Sequence, residues 1–206
     1  PTVSFVANDG SVPESIDYAA VADEYNAVLV DGAVALVGDQ PSGGPVVMSM
    51  IGGASDPEAA IVAADAVDLS AGANDREAVE FTDVLPGIDV VYSANDGDVE
   101  YSFIIEPGGD PDKISLHFAG TNGLTIRPDG SLSIDAESGP DYISTAPYTF
   151  QNVGGKPVTV VSSYVVGDDG MVGFDLGAYD PTLPVIIDPT FIAQETTAGA
   201  YPGGSS

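Results

Sequence analysis

Apolar and polar residues alternate with period two along most of this chain, and Gly, Pro, Asn and Asp break the alternation about every ten residues. The clearest stretch is residues 85–112, LPGIDVVYSANDGDVEYSFIIEPGGDPD. Residues 88–93 are predicted to enter as a strand, Asn95-Asp96-Gly97 to turn, and residues 99–105 to return. Val99, Tyr101, Phe103 and Ile105 then share one face. Glu100, Ser102 and Glu106 share the other, with Ile104 its apolar exception. Pro86-Gly87 and Pro107-Gly108-Gly109 punctuate the two ends.

The remaining segments follow the same grammar. Residues 1–7 read as a short strand, and residues 16–22 fit either a strand or one helical turn. Residues 25–30 and 33–37, joined by Asp31-Gly32, predict a hairpin. Residues 46–51 form another strand, bounded by a loop over 40–45 and by Gly52-Gly53. Residues 55–67 carry two readings: a helix capped by Ser55 or Asp56 with Pro57 in its first turn, or short strands at 61–64 and 66–70. Further strands are expected at 77–81, 114–118, 124–127, 132–135, within 142–151, at 157–166, 171–176, 185–187 and 191–192. Turns are expected at Thr121-Asn122-Gly123, Asp129-Gly130, Gly154-Gly155 and Asp168-Asp169-Gly170. This density of short strands predicts an all-β, sandwich-like fold of antiparallel sheets with at most one short helix. The expected organisation is an N-terminal β lobe (1–75), a main sandwich lobe (76–193) and a Gly/Ser-rich tail (194–206), as one domain or two joined lobes.

Composition narrows the chemistry. Hydrophobic residues are 44% of the 206, enough for a core without staples, and there is no cysteine, which removes thiol catalysis and thiolate metal sites. Asp and Glu number 32 against four cations, a net charge of −28. That charge repels nucleic acid and an anionic membrane surface. It also calls for screening by salt or bound cations, and so for a saline or calcium-containing setting. No apolar run reaches membrane-spanning length, so no membrane insertion is expected. The start at Pro1 reads as a processed or trimmed chain.

Several strings together resemble one family. VLPGIDVVYSANDGDVEYSFIIEPGGDPDKISLHFAG, GLTIRPDGSLSI, APYTFQNVGGKPVTVVSSYVV and VGFDLGAYDPTLPVIIDP stand in its order and spacing, and residues 5–37 resemble its opening. The family is an uncharacterised β-rich domain found N-terminal to SBBP-type β-propeller repeats in large bacterial surface and secreted proteins. The resemblance covers about residues 5–189, with an Ala-rich departure over 52–75 and no propeller repeat after Asp188-Pro189. It implies a place, secreted or at the cell surface, and a structural or adhesive role. It carries no catalytic residue.

Candidate site residues are few. His117, the one histidine, alternates against Leu116 and Phe118 and is expected on an exposed strand face. No G-x-S-x-G elbow and no phosphate-cradling loop occurs, so no catalytic residue and no required cofactor is expected. Calcium is the one candidate metal, because hard oxygen ligands cluster at Asp96, Asp98 and Glu100, at Asp110 and Asp112, and at Asp168 and Asp169. Turn chemistry is the stronger reading of each single cluster. The expectation is a non-enzymatic extracellular module of a surface protein or of a self-assembling filament. Its partners would be copies of itself or other surface proteins, joined by addition of a terminal strand to a free sheet edge. The alternatives are a calcium-dependent module binding glycan or another ligand, and a secreted hydrolase.

Overall fold

Two antiparallel sheets face each other across one apolar core in the computed structural model, which describes residues 3–10, 13, 16–38, 43–63, 77–95 and 97–194. In chain order the described strands are β1 (Phe5–Ala7), β2 (Tyr18–Val21), β3 (Tyr25–Val30), β4 (Ala33–Gly38), β5 (Val46–Met50), β6 (Glu58–Ala63), β7 (Glu77–Leu85), β8 (Ile88–Asn95), β9 (Asp98–Ile105), β10 (Leu116–Ala119), β11 (Thr121–Ile126), β12 (Leu132–Ala136), β13 (Tyr142–Ser144), β14 (Tyr148–Val153), β15 (Lys156–Val160), β16 (Ser162–Val166), β17 (Val172–Leu176), β18 (Val185–Asp188) and β19 (Thr190–Ala193). The first sheet runs β1-β2-β3-β4-β5-β10-β17-β16. The second runs β11-β12-β13-β19-β9-β18-β14-β15, with β8, β7 and β6 continuing from β9. The fold is all-β and sandwich-like. The helical content of the described residues is one 3-10 turn, Pro111–Lys113.

Period-two alternation sets the two inner faces. In the first sheet Phe5, Ala20, Ala27, Leu36 and Val46 lie opposite one another across five strands and are buried. Leu29, Val34, Met48 and Phe118 make a second inner row. In the second sheet Phe81, Val90, Phe103 and Ile187 line up the same way. The expected face of β9, Val99, Tyr101, Phe103 and Ile105, is wholly inside. Strands far apart in the chain thus share each sheet: β1–β5 pair onward into β10, and β19 sits between β13 and β9. The expected lobe boundary at 75/76 lies outside the described residues, as do Asp96, residues 66–70 and all but Gln194 of the expected tail.

One open reading is decided for the strand, and two local expectations are corrected. Residues 58–63, where a helix could have begun, are strand β6, paired with β7 from Glu58↔Thr82 to Ala63↔Glu77. A neighbour to pair with outweighs the weak helix preference of an Ala-rich hexapeptide. Thr121-Asn122-Gly123 is not a turn but the start of β11, with a register irregularity that absorbs Asn122. The run 157–166 is not one strand. It breaks at Val161, 79% exposed, and passes from β15 in one sheet to β16 in the other.

One glycine closes the joint between the sheets. Gly120 has φ +75, and a Cβ there would collide with the carbonyl oxygen of Pro45. Gly120→Ala is expected to cost more than about 3 kcal/mol, because both the left-handed backbone and the backbone–backbone approach are lost. A melting temperature lower by roughly 6–12 °C would register it. A change within error of wild type would contradict the geometry.

Candidate functional site

The two outer faces of the sandwich have opposite chemistry. On the first sheet the register places Val6, Ala19, Val28, Ala35, Val47 and Ala119 in one outward row across six strands. Every other outward position of β1–β5 is Ser, Asn, Val or Ala. None carries a charge, in a chain whose net charge is −28. Two shallow grooves follow this face. One, of about 460 Å³, runs between Val28, Val30, Ala35, Val47 and Val84 and is lined also by Asp31 of the β3–β4 turn. The other, of about 350 Å³, lies over Val6, Ala19, Val21 and Val28.

The outer face of the second sheet is acidic. Glu58, Glu80, Asp89, Asp98, Glu100 and Asp188 all project from it, around a small apolar cluster of Ala78, Val91, Ile104, Phe150 and Ile186. Crowding and burial raise several of these carboxyls. Glu80 is raised by burial and by Asp89, and Asp89 by burial and by Asp83. Asp98 is pushed up to about 6 by burial and by Asp23 and Glu24.

Asp188 is the extreme case. It ends the fully buried strand β18, is 8% exposed and accepts a hydrogen bond from Ser102 Oγ at 2.6 Å. Burial first, and the Glu100 carboxylate second, push its carboxyl up to about 7. Ser93 Oγ donates to Glu100 Oε1 at 3.3 Å, so two serines and two carboxyls form one patch on β8, β9 and β18. The proton that Asp188 keeps lets it donate to Glu100. Chemically this is an acid–carboxylate pair that holds one proton up to near neutral pH. His117 stands on the outer face of the first sheet, paired with Ser49, with the core between it and this pair.

Of the seven residues expected as calcium ligands, the six described are dispersed. Asp98 stands beside Asp23 and Glu24, and Glu100 beside Asp188. Asp110 accepts from the Asp112 N–H at 3.1 Å and caps the 3-10 turn. Asp169 accepts from the Met171 N–H at 3.1 Å, closing the turn after Gly167. Asp112 and Asp168 are exposed, and Asp96 lies outside the described residues. Among the described residues no group of three or more Asp, Glu or His is placed to hold a metal ion. Alternation put Glu100 and Ser102 on one face, but not Asp188. The reading of its strand stopped at Ile187, and the signal passed over was an Asp continuing an apolar run into a proline.

Buried tyrosines join the two sheets. Tyr101, Ser144 and Tyr164 hydroxyls meet in a triangle of 2.8, 3.2 and 2.7 Å, and Tyr164 also donates to the Thr145 carbonyl at 3.0 Å. Burial pushes the Tyr101 hydroxyl up to about 12, so the network stays neutral. These are scaffold bonds between β9 and β13 of one sheet and β16 of the other.

A family model described as "Domain of unknown function (DUF7948)" matches residues 54–190, more than half of the chain, and the chain belongs to this family. That agrees with the uncharacterised β-rich domain the sequence resembles, and the description names no propeller repeats. No curated protein and no solved structure matches the chain. Strands β1–β5 precede the matched residues, yet they supply five of the eight strands of the first sheet.

Proposed function

We propose that this DUF7948 domain is a non-enzymatic structural and interaction module, exported to the cell surface as part of a surface protein or a surface filament. The observation that carries the reading is the uncharged outer face of β1–β5 on a strongly acidic molecule. Exposed contiguous apolar surface marks interaction sites on soluble proteins. The other outer face carries Glu58, Glu80, Asp89, Asp98 and Glu100 around a buried apolar cluster. The core supports the same reading, since the buried hydroxyls of Tyr101, Ser144 and Tyr164 are spent on bonds that fix one sheet against the other. The resemblance to domains that precede SBBP-type propellers favours a bacterial surface or secreted protein, and the charge favours a saline exterior.

Immunogold labelling of intact cells of the source organism tests the placement. Antibody against the purified domain is expected to label the outside of unpermeabilised cells. Label seen only after permeabilisation would overturn it.

A further inference from the structure

We propose that the apolar outer face of the eight-stranded sheet receives a second copy of this chain, face to face, leaving both acidic faces on the outside of the pair. This rests on the interaction-module reading above and names the partner.

The first argument is the state of the face. Val6 and Val21, on the outermost strands, are 65% and 68% exposed, Ala119 is exposed, and Ala19, Val28, Ala35 and Val47 between them are half-buried. The second is charge. Two copies at −28 repel in most orientations. Packed sheets lie about 10 Å apart, so stacking two sandwiches by their uncharged faces holds the acidic faces roughly 30 Å from each other. That is several times the screening length of about 8–10 Å at moderate salt. No other pairing of the two outer faces keeps the carboxylates so far apart. A basic partner would be drawn to the acidic side instead, where Glu58, Glu80 and Asp89 stand.

The third argument is size and shape. Six strands of three to six residues, about 16 Å long on average and about 4.8 Å apart, give each copy an area of roughly 450 Å². A face-to-face pair then buries roughly 900 Å², in the range below about 1,200 Å² that weak, transient contacts use. The outward side chains Ala19, Ala35, Val28 and Val47 are short, so two backbones can approach to ordinary sheet-packing distance. An interface this small, on molecules this charged, holds only when salt screens the remaining repulsion.

Sedimentation velocity of the full 206-residue chain tests this, at about 1 M and about 10 mM KCl. The expected result is a dimer at high salt that dissociates at low salt. The double variant Val28→Asp, Ala35→Asp puts like charges at the centre of the pair. It is expected to weaken association at least about tenfold at high salt, whereas Thr82→Asp on the acidic face leaves it unchanged. Both sites point outward, and a cooperative melt confirms folding; Val47→Asp in the same row replaces the double variant if that fails. A monomer at both salts, or association that these changes on the apolar row do not weaken, would overturn the proposal. Surface label on cells from a monomeric protein would remove the self-docking alone. Internal label with an intact salt-dependent dimer would remove the surface placement alone.

Discussion

Asp188→Asn is expected to raise the melting temperature by about 5–10 °C at pH 8 and to change it little at pH 4. The sign follows from linkage. Asp188 has its folded pKa raised to about 7 by burial and by Glu100, against about 3.9 in the unfolded chain. The native state therefore holds the proton more tightly, and stability falls as pH rises through that interval. The contribution of the protonated carboxyl is fully present below about pH 4 and is lost as pH passes about 7. At pH 8 the site holds the buried Asp188 anion beside the half-buried Glu100, and the fold must work against that burial and repulsion. An Asn amide reproduces the protonated form: it can donate to Glu100 and still accept from Ser102 Oγ, now 2.6 Å from Asp188 Oδ1. The gain at pH 8 is on the order of 2–4 kcal/mol. Glu80, Asp89 and Asp98 are raised too, so the wild type as a whole is expected to be more stable at pH 5 than at pH 8. The variant isolates the part that belongs to Asp188. An equal shift at both pH values, or a loss of stability at pH 8, would refute the assignment.

What could be read in advance depended on how local the cause was. The hairpin β3–β4 was legible because Asp31 and Gly32 both adopt positive φ, 49° and 77°, and few residue pairs do that readily. The buried face of β9 was legible because alternation is a property of the strand alone. The fate of residues 58–63 was not, because β7 supplies the partner that makes them a strand, and the residues themselves are neutral. Nor was the crossing at Val161. PVTVVSSYVV has no turn residue at the break, and what splits it is that β15 pairs with β14 while β16 pairs with β17. The acid pair lay further out of reach. Glu100 and Asp188 are far apart in sequence and meet only because β18 pairs with β9, Ile186 opposite Ile104. The uncharged face of β1–β5 could be seen strand by strand. That its outward positions form one continuous row required the register of five strand pairs.

Tyr25→Phe is expected to destabilise the protein by about 3 kcal/mol, although it removes a single oxygen. Tyr25 projects inward from β3 of the first sheet and reaches the second. Its hydroxyl donates to the Phe191 carbonyl on β19 at 3.0 Å and accepts from the Val99 N–H on β9 at 2.8 Å. Both backbone groups belong to residues with no exposed surface, so no water can replace the oxygen. Phenylalanine keeps the edge contact with the Tyr142 ring, at 5.6 Å, and keeps the buried area. The loss is therefore confined to two orphaned backbone groups, each costing about 1–3 kcal/mol. Tyr92→Phe supplies the comparison. Its hydroxyl also bridges the sheets, donating to Gly32 O at 2.8 Å, but Gly32 sits in a part-buried turn that water can reach. That variant is expected to cost about 1 kcal/mol. Burial holds the Tyr25 hydroxyl far above its ordinary range, so it remains a neutral donor throughout the pH range in which the fold survives. Denaturant unfolding of the two variants under one condition decides the matter: equal losses, or a smaller one for Tyr25→Phe, would mean that this bridge between the sheets is not what closes the sandwich at β9 and β19.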